Sequence, residues 1–178
     1  MNVNLFTSMF MGNEQTWSRM NSTLASEDDI GVVLRIHLLT EKMLEAWCCA
    51  ASDNPLFFDG FGEYLSMSYM AKLKLATNFG LNQFTYNELK FINKTRNARS
   101  HQIDNAAITD AEINSLMNLI RDGGQSELVS SGDFGIWVDG RGLSVNDSSL
   151  TNREKFIAIF GAICFRASQQ ANELSQQS

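Results

Sequence analysis

The sequence predicts an all-α protein, a bundle of about five to six helices with one small β-hairpin near residues 134–146. Three observations predict this class. The 178 residues contain a single proline, so long stretches of good helix formers run uninterrupted. Several capping signals precede apolar residues at helical spacing. Beyond residue 130 the pattern changes to two short β-type runs around Asp139-Gly140-Arg141, which is typical of a hairpin.

Length and composition indicate a single domain, residues 1–178, whose core needs no disulfide or metal to hold it. The three cysteines include the adjacent pair Cys48 and Cys49 and do not make a disulfide framework, so a reduced, cytoplasmic protein is expected. The N-terminus lacks the basic and apolar regions of a signal peptide. No apolar run approaches the roughly 20 residues of a membrane span, so no membrane association is expected.

The first two predicted helices lie before Pro55. One spans residues 5–24, with packing residues Phe6, Met9, Phe10 and Trp17. The second is capped by Ser26, with Asp29 at the capping-box position, and continues for about five turns until Asp53-Asn54-Pro55 ends it. Its apolar residues at helical spacing are Ile30, Val33, Leu34, Leu38, Met43, Leu44 and Trp47. His37 lies inside this helix, where a satisfied structural histidine is the favoured interpretation over a catalytic one.

The third and fourth helices carry most of the positive charge. The third spans about residues 66–79 and stops at Gly80, and the fourth starts at a capping box formed by Thr85 and Glu88. Between residues 66 and 101 there are six basic residues and one acidic residue, although the whole chain has a formal net charge of −6. This distribution indicates a local anion-binding site, and a solvated helix face is the alternative.

Two further helices are predicted in the second half. Thr109 and Glu112 form a capping box, and the helix they open ends at Gly123-Gly124, with an inward stripe of Ile113, Leu116, Met117 and Ile120. Thr151 and Glu154 open the last helix, which buries Phe156, Ile159, Phe160 and Ile163, and residues 169–178 are expected to fray. The hairpin between them is too small to be stable alone, so it should pack on the bundle or on a second subunit.

The loop at residues 56–64 is strongly aromatic, with Phe57, Phe58, Phe61 and Tyr64 among its residues. We expect it to pack back onto the domain. The alternative is that these four aromatic residues form an exposed surface that binds a partner protein.

The run Arg96-Asn97-Ala98-Arg99-Ser100-His101 carries the most informative chemistry. Histidine moves protons near neutral pH, and the arginine fork matches a phosphate. Arg96 and His101 are therefore a minimal set for cutting a phosphodiester by general acid–base chemistry without a metal. The alternative is structural, since Arg99 and His101 near a helix C-terminus favourably meet the negative end of the helix dipole.

From Leu38 to His101 the chain resembles the mannitol operon repressor family, within the HEPN class of helical domains. The resemblance is carried in order by four stretches: Leu38-Leu39-Thr40-Glu41, Leu56-Phe57-Phe58-Asp59-Gly60-Phe61-Gly62, Leu65-Ser66 with Ala71-Lys72-Leu73-Lys74-Leu75 and Phe79-Gly80-Leu81, and the run from Arg96 to His101. About a third of the chain is covered. The resemblance implies a HEPN-like bundle whose Arg-x4-His motif lies at or near the interface of a homodimer.

In catalytic HEPN proteins two protomers form one composite site that cleaves RNA, so the resemblance implies the roles of three residues here. Arg96 would bind the phosphate, Asn97 would orient the phosphate or the imidazole, and His101 would act as acid or base. Five residues on a straight helix subtend about 140°, so Arg96 and His101 of one chain do not share a face. A two-fold dimer removes this difficulty, because it brings two copies of each residue together.

Lys90, Lys94 and Arg99 are candidates for contacts with further RNA phosphates. For Arg99 the alternative is an ion pair with an acidic side chain such as Asp104. With only two histidines, and cysteines that lie apart from them in the sequence, no metal site is predicted and no cofactor is expected.

Three functions follow from these residues and the resemblance. The first is a metal-independent endoribonuclease of the toxin or defence kind, with RNA and an antitoxin or regulatory protein as partners. The second is a non-enzymatic transcriptional regulator that works through protein contacts of the aromatic loop or the hairpin. The third is a scaffold that binds RNA without cutting it.

Overall fold

A computed structural model describes residues 1–26, 28–60, 62–99, 107–125, 135–138 and 141–176 of the chain. Within these ranges the α-helices are α1 (Val3–Phe6), α2 (Glu14–Leu24), α3 (Asp29–Ala51), α4 (Tyr69–Asn78), α5 (Gln83–Arg99), α6 (Asp110–Ile120) and α7 (Asn152–Gln176). π-helical turns at Thr7–Met11 and Arg121–Gln125 extend α1 and α6. Two antiparallel pairs supply the strands, β1 (Asp59–Gly60) with β2 (Glu63–Tyr64) and β3 (Gly135–Val138) with β4 (Arg141–Ser144). The predicted all-α bundle with a small appended hairpin is confirmed.

Helix α3 is the centre of the bundle. From Met43 to Ala50 every side chain is buried, because α1, α2, α4, α5 and α7 all pack around this helix. A helix that is apolar on all sides is expected in such a position. Trp47 illustrates the packing, since its ring meets the Phe6 ring edge-on at 5.8 Å and its Nε1 donates to the Phe79 carbonyl at 3.3 Å.

The apolar stripe predicted for α3 is partly wrong. Leu34 and Leu38 are 38% and 54% exposed, whereas Val32 and Ile36, which lay outside the predicted stripe, are fully buried. When a helix has apolar residues on most of its faces, the neighbouring elements determine which face is buried. The neighbours with the most extensive contacts to α3 are α2 and α5. The predicted end of the helix before Pro55 is confirmed, and Asp53 turns the chain with φ 51°.

Two of the predicted capping boxes are confirmed. Thr109 and Glu112 bond reciprocally at the start of α6, and Thr151 and Glu154 do so at the start of α7. Ser68 caps α4, and Gly80 follows that helix with φ +88°, as its predicted stop requires.

Two predicted caps are wrong. The N-cap of α3 is Asp28, whose carboxylate accepts from the Gly31 N–H at 2.6 Å, and not Ser26. At the start of α5 the Asn82 side chain accepts from the Thr85 N–H at 2.8 Å. Thr85 itself is a residue of the helix, and its side chain is buried in the protein. Its expected partner Glu88 is also buried, where it forms an ion pair with Arg166 of α7.

The predicted N-terminal helix is divided in two. The chain breaks at Gly12-Asn13, and the Asn13 side chain caps α2 by accepting from the Gln15 N–H at 2.9 Å. Asparagine is among the best N-cap residues, so a new helix start outweighs a continuous helix here. Phe6 and Phe10 are buried as predicted, but Trp17 is 44% exposed.

The hairpin packs on α7, which is the first of the two predicted alternatives, the bundle or a second subunit. Ile136 pairs with Leu143 across the strands, and Leu143 is 1% exposed. A side chain at Gly161 would collide with Ile136, so this glycine allows α7 to approach the hairpin. The fraying predicted from residue 169 is wrong as far as Gln176, because α7 continues to that residue and the Gln170 amide donates to the Gly80 carbonyl at 2.6 Å. Residues 177 and 178 lie outside the described range. Within the described ranges, no helix has the length and apolar character needed to cross a bilayer.

Candidate functional site

The C-terminal half of α5 and the middle of α3 border a solvent-open cleft of about 390 Å³. We call it the Arg96 cleft. Its polar lining comes from α3, from the start of α4 and from α5: His37, Glu41, Ser68, Tyr69, Asn93, Arg96 and Asn97. Asn93, Arg96 and Asn97 are three and four residues apart on α5, so they share one face of that helix.

Arg96 and Asn97, two of the three predicted catalytic residues, both line this cleft. The Arg96 Nη1 donates to the Asn97 Oδ1 at 2.8 Å. Asn97 is exposed and Arg96 is half-buried. An amide oxygen orients a guanidinium without adding a negative charge. Glu41 is the one carboxylate among the described residues that line this cleft.

His37 lies in the same cleft, which the sequence did not predict. It is 5% exposed, its Nε2 lies 3.0 Å from the Asn93 Oδ1, and its ring stacks on Tyr69 with centroids 4.4 Å apart. Because that oxygen accepts, Nε2 carries the proton in this arrangement. Burial lowers the pKa of His37, and the positive charge of Arg96 acts in the same direction, so the ring is neutral at pH 7. His37 therefore has the hydrogen-bond and stacking partners of a structural histidine, which is the interpretation that the sequence favoured.

His101, the third predicted catalytic residue, lies outside the described residues. Helix α5 is described to Arg99, two positions before His101. The geometry between Arg96 and His101 stays a prediction.

Arg99 is held inside the protein. It is 6% exposed, donates two hydrogen bonds of 2.8 Å to the Glu112 carboxylate and one of 2.9 Å to the Ala107 carbonyl. Burial acts to raise the pKa of Glu112, but the hydrogen bonds from Arg99 and Thr109 outweigh it and lower that pKa. The structure thus favours the ion-pair alternative over a contact between Arg99 and RNA, with Glu112 as a partner. Asp104, the partner suggested by the sequence, lies outside the described residues.

Lys90 and Lys94 are exposed on α5, four residues apart. Both line a second opening of about 790 Å³ between α4, α5 and α6, which we call the Phe91 groove. Met70, Asn93 and Asn97 line this groove as well as the Arg96 cleft, so the two are continuous. The two lysines therefore lie beside the predicted phosphate site.

Glu88, the one acidic residue of the basic segment, points away from this surface. It is fully buried and forms an ion pair with Arg166 of α7. Burial raises the pKa of Glu88 to about 7, although the charge of Arg166 opposes that shift. Glu88 therefore does not reduce the positive charge of the exposed face.

Lys72 is also absent from the exposed basic face. It is 2% exposed, and its Nζ contacts Glu41 at 2.8 Å, Glu45 at 2.6 Å and the Tyr64 hydroxyl at 2.9 Å. Burial acts to lower the pKa of Lys72, but these hydrogen bonds outweigh it and raise that pKa. Lys72 therefore ties the loop before α4 to α3.

The aromatic loop packs back onto the domain, as expected. Phe58 is 4% exposed, and Phe57 packs edge-on against both Phe58 and Phe79. The alternative of an exposed partner surface is therefore wrong for Phe58, which is buried. Phe57 is half-buried, so only part of its ring is exposed. Tyr64 is 52% exposed, and Phe61 lies outside the described residues.

In the described part of the chain, no group of three or more His, Cys, Asp or Glu side chains could hold a metal ion. The fold and the cleft together define a helical bundle with a polar cleft between α3 and α5, lined by both Arg96 and Glu41. Comparison with protein families, with curated proteins and with solved structures found no match.

Proposed function

We propose that this protein is a HEPN-type, metal-independent endoribonuclease that acts in the cytoplasm as a homodimer, and that it is related to the mannitol operon repressor family. One observation carries the proposal. Arg96 and Asn97 lie together in an open cleft, joined by a hydrogen bond of 2.8 Å, on the helix that leads to His101. In this proposal Arg96 binds the phosphate, and His101, five positions further along the chain, is the acid–base group.

The chemistry follows from these three side chains. The 2′-hydroxyl of a ribose attacks the adjacent phosphorus while the bond from phosphorus to the 5′-oxygen breaks. One imidazole takes the proton of the 2′-hydroxyl, and a second protonates the leaving 5′-oxygen. The two His101 copies of a dimer supply both. Arg96 neutralises the charge that develops on the phosphorane oxygens, and Asn97 holds the guanidinium in place.

His37 does not serve as the second acid or base in this proposal. Its ring is buried, neutral and engaged by Asn93 and Tyr69. It is a positioning residue that fixes Asn93, which in turn lines the face carrying Arg96.

The test is cleavage of a single-stranded RNA in the presence of EDTA by the wild-type protein and by Arg96→Gln and His101→Ala. We expect each substitution to reduce the rate about 100- to 10,000-fold, the usual contribution of positioned acid–base groups. Arg121→Gln, which removes an exposed arginine just after α6, is the matched control and should retain the wild-type rate. Equal rates for Arg96→Gln and the control would overturn the proposal.

A defence or toxin role adds a cellular readout. Expression of the wild-type chain should arrest growth, and Arg96→Gln should relieve the arrest while accumulating to the same level. Growth arrest that persists with Arg96→Gln would overturn this part of the proposal.

The second candidate is a transcriptional regulator that acts through protein contacts. Three exposed hydrophobic residues at the two ends of the aromatic loop favour it: Leu56, Tyr64 and Leu65 are 62%, 52% and 50% exposed. Two results together would favour this candidate: RNA left intact and unbound by the wild-type chain, and a defined protein complex lost in Leu56→Ser/Leu65→Ser but retained in Arg96→Gln.

A further inference from the structure

The Phe91 groove continues directly from the Arg96 cleft along α5. At about 790 Å³ it lies within the range of about 300–1,000 Å³ typical of ligand sites. Asn87, Phe91, Lys94 and Ala98 recur every three or four residues on α5 and therefore form one stripe along its wall. Any chain that enters the cleft can thus extend along the same helix.

The walls of the groove combine a flat ring with amide groups. Phe91 is half-buried, and Met70 and Leu119 continue the apolar surface from α4 and α6. Asn87 and Asn93 add amides, each of which offers donors and an acceptor. A nucleobase needs this pair of features, because its faces stack on aromatic rings while its edges form hydrogen bonds.

The charge of the groove suits a polyanion. Lys90 and Lys94 are exposed on its rim, and among the described residues that line it none is a carboxylate. The groove is therefore positive in a chain whose formal net charge is −6. Lysines that flank a stacking surface are the arrangement by which proteins follow a single nucleic acid strand.

We infer that the Phe91 groove binds an unstacked base of single-stranded RNA, next to the phosphate that Arg96 holds. The inference rests on the proposed function and specifies its substrate class. A double helix is a poor ligand for the groove, because its bases are stacked and paired and cannot turn toward Phe91. Lys90 and Lys94 contact the phosphates that flank the bound base.

The test measures binding without cleavage. Short 2′-O-methylated oligonucleotides lack the attacking hydroxyl, so their affinity is measured by fluorescence anisotropy on the intact protein. The second probe is an oligonucleotide of equal length without bases at its central positions. We expect the wild-type chain to bind the complete strand about 5- to 100-fold more tightly, which is the value of stacking one base.

Phe91→Leu keeps an apolar side chain in the groove and removes the aromatic face. It should lower the affinity for the complete strand to that for the strand without bases. Phe84→Leu, on the same helix, removes a ring that is 43% exposed and does not line the groove, and it should change neither affinity. If Phe91→Leu does not fold, Asn87→Ala tests the same groove through a half-buried polar residue.

The outcomes separate this inference from the proposed function. Affinity that depends on bases and on Phe91, in a chain that leaves RNA uncut, supports the groove and overturns the nuclease. Cleavage that depends on Arg96, together with equal affinities of wild type and Phe91→Leu for both probes, overturns the groove alone. A change from dimer to monomer in Phe91→Leu, with no change in base dependence, would mean that the groove is a subunit interface and would overturn the inference.

Discussion

The Arg99 guanidinium donates two parallel hydrogen bonds of 2.8 Å to the Glu112 carboxylate. This pair joins the end of α5 to the first turn of α6. Arg99 also donates to the carbonyl of Ala107 at 2.9 Å. One side chain therefore connects both ends of the segment 100–106, which contains His101.

We predict that Arg99→Met destabilises the protein by about 1–3 kcal/mol, between the values for losing an exposed and a buried ion pair. Glu112 would lose its bidentate partner, and both ends of the His101 segment would lose their common anchor. The free energy of unfolding in urea measures the effect. Arg121→Met should change it by less than about 0.5 kcal/mol, as surface substitutions do. Equal stabilities for the two variants would show that the Arg99 pair does not hold the fold.

The buried pair of Glu88 and Arg166 leads to a second prediction. Arg166→Met alone should cost about 3–5 kcal/mol, because it leaves the buried Glu88 carboxyl without its charged partner. The double variant Glu88→Met/Arg166→Met should recover most of the loss, since apolar side chains of similar volume replace both charges. Denaturant unfolding of the three proteins at pH 8 tests this. A double variant that is no more stable than Arg166→Met would contradict it.

These two ion pairs show what local sequence can and cannot predict. The capping boxes of α6 and α7 were predicted because both partners lie within four residues of each other. Glu88 follows Thr85 by three positions, and this spacing suggested a capping box that the fold does not form. The partner that Glu88 binds instead, Arg166, is 78 positions away. Long-range packing therefore determines the burial and the ion pair of Glu88, and no local sequence pattern predicts them.

The candidate site divides in the same way. The run from Arg96 to His101 indicated a site on this part of α5. His37, however, contacts Asn93 across 56 positions, through the packing of α3 on α5. Helical spacing places Asn93 on the face of Arg96, which was a readable signal. The sequence did not predict which face of α3 packs against this face of α5, because α3 has apolar residues on most sides.

The neutral, buried His37 predicts a pH dependence of stability. The folded protein binds a proton at His37 more weakly than the unfolded chain, whose ordinary pKa is 6.5. Protonation therefore favours unfolding, and stability is lost as the pH falls from about 6.5 toward the lowered folded pKa. The raised pKa of Glu88 acts with the opposite sign between its ordinary 4.5 and about 7, but it is common to wild type and variant.

The difference in free energy of unfolding between wild type and His37→Gln isolates the histidine. Between pH 7.5 and pH 5 the wild type should lose stability relative to the variant, since glutamine does not titrate. Two curves that run parallel over this range would contradict the assignment of a lowered pKa to His37.

The Tyr64 hydroxyl should stabilise the loop before α4. It donates to the Glu45 carboxylate at 2.5 Å and accepts from Lys72 at 2.9 Å. We expect Tyr64→Phe to cost about 1–2 kcal/mol, because a hydrogen bond to a charged group is lost at a residue that is half exposed. Tyr86→Phe is the control, since the Tyr86 hydroxyl has no hydrogen bond to another described residue. A Tyr64→Phe protein as stable as the control would refute the role of this contact.

The most direct test of a metal-independent RNA-cleaving site is to identify the product ends formed in EDTA. A single-stranded RNA is incubated with the wild-type protein, and the fragments are analysed by mass spectrometry. We expect 2′,3′-cyclic phosphates and 5′-hydroxyls, together with their loss in Arg96→Gln/His101→Ala. RNA that stays intact with the wild-type protein, or the same fragments from the double variant, would contradict it.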